Sequence, residues 1–128
     1  NSMMSDKGLV TFLSNTRKQT IIHATTLASK CGWGQNQFLV CGVPTSLPQK
    51  TEGLPDDWFQ GRYLFNDSLK VINTVTGDPA PLFSFEKTKL SFDVTNLVTS
   101  YDNTLITFIR KQNGSLWLLN TNLLPQSQ

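Results

Sequence analysis

The sequence predicts an α+β fold in which one N-terminal helix packs on antiparallel β-sheet. Near the start of the chain, apolar residues recur at spacings of three and four, which is the period of a helix. From Ile22 onward, β-branched and aromatic residues are punctuated by Gly, Pro, Asn and Asp, as is typical of strands and turns. The length of 128 residues suits one domain. We therefore expect a single domain over 1–128, with a helix over 1–22 and a β domain over 23–128.

The predicted helix carries a narrow apolar stripe on one side. Its members are Leu9, Phe12, Leu13, Thr16 and Thr20. Polar residues occupy the other faces, and Ser5 with Asp6 can serve the first turn. The stripe predicts that this helix lies on a sheet.

Eight strands are predicted after the helix, with bounds of 22–30, 37–43, 58–65, 69–76, 82–86, 89–95, 104–111 and 115–121. The segment 89–95 alternates apolar and polar residues, which is the pattern of a half-buried antiparallel strand. Asn113 and Gly114 suit the positive φ angles of a type I′ turn, so the last two strands should form a hairpin. A second turn is predicted at 77–79, and prolines predict a long exposed loop over 44–56.

Two cysteines, Cys31 and Cys41, enclose a glycine-rich segment that can fold back on itself. One interpretation is a disulfide between them, which places the domain in an oxidising compartment such as the periplasm or the cell exterior. The other interpretation is two buried thiols in a cytosolic protein. A metal site fits poorly, because two cysteines and the distant His23 cannot fill a tetrahedral coordination shell.

Composition favours a binding or structural module over an enzyme. His23 is the only histidine, and no serine lies in a nucleophile-elbow sequence, so nothing supports a catalytic triad. The adjacent acids Asp56 and Asp57 follow a proline and would point to opposite sides of an extended chain. Loop solvation is therefore favoured over metal binding or glycoside hydrolysis at this pair. We expect no catalytic residue, no metal and no cofactor.

A net charge of +2 is too small to indicate a dedicated nucleic-acid binder. The local basic group consists of Arg110 and Lys111, with Lys87 and Lys89 as further candidate contacts for DNA or another anion. The alternative is a solvated hairpin tip, which also suppresses aggregation at a sheet edge.

The sequence holds no stretch of 18 consecutive apolar residues, so nothing in it predicts a membrane span. The chain opens within polar, helix-like sequence, as an excised domain would. We therefore expect an upstream targeting or membrane segment.

The order of these features resembles the minor pilins and pseudopilins of the GspH/FimT/FimU type. In that family a helix ends in a segment with Arg and Ile and a basic residue soon after, positions taken here by Arg17, Ile21 and His23. A strand then ends near a cysteine, and a second, looped cysteine follows, as in this chain. The segment 57–65 is similar to the family's aromatic-glycine strand, and 104–121 is similar to its closing hairpin.

The resemblance implies a non-enzymatic minor pilin of a type IV pilus, involved in assembly or tip function, or a minor pseudopilin of type II secretion. It implies contacts with other pilin subunits through the helix and loops, and an inner-membrane anchor upstream. The full-length protein would then lie in the bacterial inner membrane, the periplasm and the extracellular pilus. Loops on a rigid scaffold carry such contacts, and the candidate contact residues are Trp33, Leu47 and Leu54.

Two other functions stay open. Some FimT-like relatives bind DNA through a C-terminal Gly-Arg-x-Arg motif, but no arginine follows Arg110 here, so DNA binding would depend on the basic group above. The second is an extracellular carbohydrate-binding β module, in which Trp33, Trp58 and Trp117 would supply stacking surfaces. Trp58 and Trp117 lie on predicted apolar strands, which favours a structural role for both.

Overall fold

A computed structural model describes residues 10–13, 18–34, 38–46, 58, 60–61 and 64–123 of the chain. The described residues form nine strands: β1 Val10–Leu13, β2 Lys18–Ile21, β3 Cys31–Trp33, β4 Phe38–Pro44, β5 Asp67–Asn73, β6 Pro79–Phe83, β7 Val94–Thr99, β8 Leu105–Arg110 and β9 Ser115–Asn120. They also form three short 3-10 turns, at Ala28–Lys30, Glu86–Thr88 and Thr121–Leu123. Every described strand pair is antiparallel.

The prediction of an α+β fold with an N-terminal helix is wrong. The described residues are mostly antiparallel β-sheet and contain no helix of seven or more residues. Within the predicted helix, β1 and β2 pair with each other, with Val10 opposite Ile21 and Leu13 opposite Lys18. The cause is local, because the β-branched and aromatic residues of these segments lose side-chain freedom in a helix and suit a pleated strand. The other residues of 1–21 lie outside the described part.

The predicted strands agree with the structure in part. Four agree to within three residues: 37–43 with β4, 69–76 with β5, 104–111 with β8, and 115–121 with β9. The segment 82–86 overlaps the end of β6, which already begins in the turn predicted at 77–79.

Three predicted strands do not form as expected. The segment 89–95 is a strand only from Val94 onward, because Lys89, at φ 59°, terminates the preceding 3-10 turn. The described residues of 58–65 contain no strand, and Gly61 lies in a turn with φ 77°. The segment 22–30 pairs with no described strand and ends in a 3-10 turn.

The predicted hairpin joins β8 to β9, with Arg110 opposite Ser115. Of its two predicted turn residues, only Gly114 has a positive φ, of 73°. The N–H groups of Asn113 and Gly114 both donate hydrogen bonds to the Arg110 carbonyl oxygen, with N···O distances of 3.3 and 2.8 Å. The hairpin is therefore confirmed, but its connection is a four-residue loop and not a type I′ turn.

Two larger sheets pack face to face. One has the order β3-β4-β5-β6 and the other β7-β8-β9, with β3 and β4 lying against β7. Gly42 permits this close approach, because a Cβ added there would lie 2.8 Å from Val94 Cβ. The core between the sheets consists of Val40, Leu69, Phe85, Phe92, Val94, Leu97, Ile106 and Phe108.

The outer face of the four-stranded sheet is covered by the segment 22–30. Ile22 packs in a buried cluster with Leu39, Cys41, Val43 and Ile72. Thr26 Oγ1 donates a hydrogen bond of 2.5 Å to the Gly42 carbonyl. Because side chains alternate along an extended chain, Cys31 shares this outer face with Cys41, whereas Lys30 is directed to the interior.

Candidate functional site

The Cys31–Cys41 disulfide is confirmed. The two cysteines lie directly opposite each other on β3 and β4. Cys41 is fully buried in the cluster under segment 22–30. The bond ties β3, at the edge of its sheet, to β4, which also pairs with β5.

The three predicted partner-contact residues are only partly described. Trp33 lies at the end of β3 and is 50% exposed. Its carbonyl accepts a hydrogen bond from Thr99 Oγ1 on β7, which holds this end of the strand against the other sheet. Leu47 and Leu54 lie outside the described residues. The structure therefore supports an accessible Trp33 and leaves the loop contacts as predictions.

The basic pair at the β8–β9 hairpin makes contacts within the chain. Arg110 Nε donates to the Ser91 carbonyl at 2.8 Å, and the guanidinium carbon lies 5.2 Å from the centroid of the Phe92 ring. Lys111 Nζ lies 4.8 Å from the centroid of the Trp58 ring. These cations contribute to packing, and DNA binding by them stays a prediction.

The remaining charged candidates form no site among the described residues. Lys87 and Lys89 are exposed in and after the 3-10 turn that precedes β7. His23 is exposed, and its backbone N–H donates to the Gly77 carbonyl at 2.8 Å. The acid pair at 56–57 lies outside the described residues. Within the described ranges, no three His, Cys, Asp or Glu side chains come together as metal ligands would.

Sequence reasoning missed a buried charged cluster at one end of the sandwich. Lys30, Asp67 and Asp93, here called the buried triad, are all inaccessible to solvent or nearly so. Lys30 Nζ lies 2.6 Å from Asp67 Oδ2 and 2.6 Å from Asp93 Oδ1. It also donates to the Val94 carbonyl at 2.9 Å. A fully buried lysine is rare in proteins, and here it has three oxygen acceptors.

Aromatic residues enclose the buried triad. Trp58 is 2% exposed, and its Nε1 donates to Asp93 Oδ2 at 2.6 Å, where the backbone N–H of Phe65 also donates at 2.8 Å. Lys30 Nζ lies 4.9 Å from the centroid of the Trp58 ring and 5.1 Å from that of Phe65. The ammonium thus meets two carboxylates and two ring faces in a site closed to water.

The two carboxylates have different surroundings. Asp93 accepts hydrogen bonds on both oxygens, from Lys30 Nζ on Oδ1 and from Trp58 Nε1 and the Phe65 N–H on Oδ2. Asp67 accepts from Lys30 and from the Val94 N–H, both on Oδ2. Its Oδ1 is buried and contacts no hydrogen-bond donor in the described part of the chain. Burial raises the pKa of the Asp67 carboxyl to about 6, and the nearby Lys30 ammonium offsets only part of that increase.

No sequence pattern signals the buried triad. The alternation over 89–95 places Asp93 on the solvent side of a predicted strand, and Lys30 is the last residue of the strand predicted over 22–30. Asp67 directly follows Asn66 in what reads as a polar turn. The three side chains come together where the 3-10 turn at Ala28–Lys30 and the start of β5 both meet the start of β7.

A second feature is an exposed apolar surface on the outer side of the three-stranded sheet. Side chains of β7, β8 and β9 that alternate away from the core share this side. Its apolar members, here called the aliphatic face, are Val98, Leu105, Ile109, Leu116 and Leu118. Leu116 is 74% exposed, and Val98 and Leu118 are each 61% exposed. The described polar residues among them are threonine and asparagine, so the face carries no formal charge.

An apolar cavity adjoins this face. It has a volume of about 170 Å³ and lies between the two sheets near β6 and β9. Phenylalanines of the core and Trp117 line it, and Leu118 and Leu119 close its β9 side. Leu118 therefore lines this cavity and also belongs to the aliphatic face.

No family model matches the sequence, and neither does any curated protein or solved structure. Among the described residues, no helix is long and apolar enough to span a bilayer.

Proposed function

We propose that the protein is a non-enzymatic subunit of an extracytoplasmic protein assembly and contacts a neighbouring subunit through the aliphatic face. The observation that carries this proposal is the exposure of Val98, Leu116 and Leu118 on one side of one sheet. Soluble monomers rarely leave a contiguous apolar surface uncovered, and such a surface commonly marks a protein contact. The opposite outer face of the sandwich shows the contrast, because segment 22–30 covers it.

The chemistry of the face favours a protein partner over the other candidate ligands. A nucleic acid is held by cations at its phosphates, and the aliphatic face carries none. Carbohydrate sites stack sugar rings on exposed aromatic side chains beside polar groups. The exposed apolar members of the aliphatic face are aliphatic. Of the three tryptophans, Trp58 is buried beside the triad, and Trp33 and Trp117 are 50% and 37% exposed but do not belong to this face. An apolar surface of a second subunit matches the face best.

The kind of assembly is proposed from the sequence. The resemblance to minor pilins and minor pseudopilins supports a type IV filament or the related secretion pseudopilus. The confirmed disulfide supports a location outside the reducing cytosol, in the periplasm or on the extracellular filament. Docking through an N-terminal helix is not part of this proposal, because β1 and β2 occupy the described part of that segment.

The test is a chromosomal Leu116→Asp/Leu118→Asp replacement in the native host, read out as the number of surface filaments per cell. Two carboxylates placed in an apolar contact should reduce assembly roughly tenfold or more. The matched control is Val75→Asp, because Val75 is 56% exposed in the turn between β5 and β6, away from the face. Protein level and disulfide formation should stay normal in both variants. Normal filament numbers with the double variant would contradict the proposal.

A further inference from the structure

The buried triad has no role in the proposed docking, but it brings groups that can react with one another into contact in the interior. A primary amine, two carboxyl groups and a shell of aromatic rings meet in a volume closed to solvent. Lys30 Nζ lies within 2.6 Å of an oxygen of each acid. Such proximity converts a reaction between two molecules into one within a single molecule, and effective molarities for such steps are large.

We propose that Lys30 Nζ and Asp67 Cγ form an intramolecular amide bond, which joins the start of β3 to the start of β5. The amine attacks Cγ, the bond from Cγ to Oδ1 breaks, and Oδ1 leaves as water. Starting from the ammonium and the carboxylate, two of the three Nζ protons depart with this oxygen. One proton stays on the new amide nitrogen. The step is a condensation and requires no oxidant, reductant or further reactant.

Asp67 is the electrophile because its two oxygens have unequal partners. Oδ2 accepts the Val94 N–H at 2.8 Å, and this donor stabilises the negative charge that develops on that oxygen during attack. Oδ1 has no donor among the described residues, so no hydrogen bond is lost when it leaves. The raised pKa of Asp67 acts in the same direction, since a protonated carboxyl group is the better acceptor for an amine.

Asp93 is the positioning and proton-transferring residue. Its Oδ1 receives the Nζ proton at 2.6 Å, and its Oδ2 is fixed by Trp58 Nε1 and the Phe65 N–H. Proton transfer from Nζ to Asp93 gives the neutral amine that attack requires, and Asp93 returns the proton to the departing oxygen. Enclosure by Trp58 and Phe65 excludes the water that would favour hydrolysis.

The test is the intact mass of the purified chain, measured after full reduction and denaturation. The expected mass is that of the sequence less one water molecule. Trypsin should fail to cleave after Lys30, and tandem mass spectrometry should find one branched peptide that joins the Lys30 and Asp67 segments. A chain with its full mass would overturn the proposal. So would the loss of water with normal cleavage after Lys30, because that result indicates a cyclic imide at an aspartate.

Two substitutions test the assigned roles. Asp67→Asn should lose ammonia in place of water and reach the same final mass as the linked natural chain, whereas retention of the side-chain amide would overturn the role of Asp67. Asp93→Asn should keep its full mass, and normal linkage in this variant would overturn the role of Asp93. The control Asp102→Asn changes an exposed acid and should link as the natural chain does. The measurements on the natural chain and Asp67→Asn decide the matter even where Asp93→Asn fails to fold.

Discussion

Removal of the Cys31–Cys41 bond should lower the free energy of unfolding by about 3 kcal/mol. The sequence separation of the two cysteines is 10 residues. In the chain-entropy model, closing a loop of roughly this length restricts the unfolded ensemble by about 3 kcal/mol at 25 °C. Replacement of both cysteines by alanine adds a smaller loss of up to about 1 kcal/mol, because Cys41 is fully buried and its sulfur leaves a small void.

Urea unfolding, followed by tryptophan fluorescence, measures this loss. The comparison is between the oxidised chain, the same chain with a reductant, and the Cys31→Ala/Cys41→Ala variant. The reduced chain keeps both sulfur atoms, so it isolates the effect of the covalent bond from the effect of the void. The slope of free energy against urea should also rise on reduction, since the unfolded chain expands. Equal unfolding midpoints for the oxidised and reduced chains would refute the argument.

Two further predictions concern the interior. Phe92→Ala should lower the free energy of unfolding by about 4 kcal/mol in a urea titration, because Phe92 is buried and its ring centroid lies 4.1 Å from that of Phe85. The control Leu90→Ala, at an exposed neighbouring position, should lower it by less than about 0.5 kcal/mol. Because burial raises the pKa of Asp67 to about 6 from 3.8, a folded chain in which Asp67 is not linked to Lys30 holds a proton between these pH values that the unfolded chain has lost. The stability from this proton is complete below about pH 4 and is lost as the pH rises through 6, by about 3 kcal/mol in all. Urea titrations from pH 4 to 7 should show a decline of this sign in Asp93→Asn, which keeps the Asp67 carboxyl free, and not in Asp67→Asn/Asp93→Asn. The decline should be smaller than about 3 kcal/mol, because the replaced Asp93 charge is one of the causes of the raised pKa.

The hairpin and the disulfide could be predicted because their signals are local. Asn113 and Gly114 between two apolar segments allow few conformations other than a reversal of the chain. Cys31 and Cys41 are separated by a flexible, glycine-rich segment that permits a return strand. In both cases, residues close in the sequence decide the structure, so no knowledge of the rest of the fold was needed.

The helix prediction was wrong because it relied on the spacing of the apolar residues and gave too little weight to which residues they are. Val10 and Ile21 are β-branched, and β1 and β2 consist of four residues each, which is too short a window to separate a helical period from a strand. The strand predicted over 89–95 failed for a related reason. Its alternation is real, but Lys89 adopts a left-handed conformation after a 3-10 turn, and strand pairing begins only at Val94.

The buried triad could not be predicted because its parts are distant in the sequence. Lys30 is separated from Asp67 by 37 residues and from Asp93 by 63. Single polar residues at strand ends are ordinary features of solvent-exposed turns, so each residue alone indicates nothing. The aliphatic face was missed for a different reason. Period-two patterns identify the two sides of a strand, but they do not show which side another layer covers.

The position of the disulfide determines how the domain would carry a mechanical load. Tension that enters along the chain from β2 reaches Cys31 and passes through the two sulfur atoms directly to β4, in the interior of its sheet. The hydrogen bonds between the edge strand β3 and β4 are therefore not broken one after another by this load. Lys30 directly precedes Cys31, so the proposed Lys30–Asp67 amide bond would pass part of the same load to β5. The segment before Lys30 would then be the first part of the chain to unfold under tension.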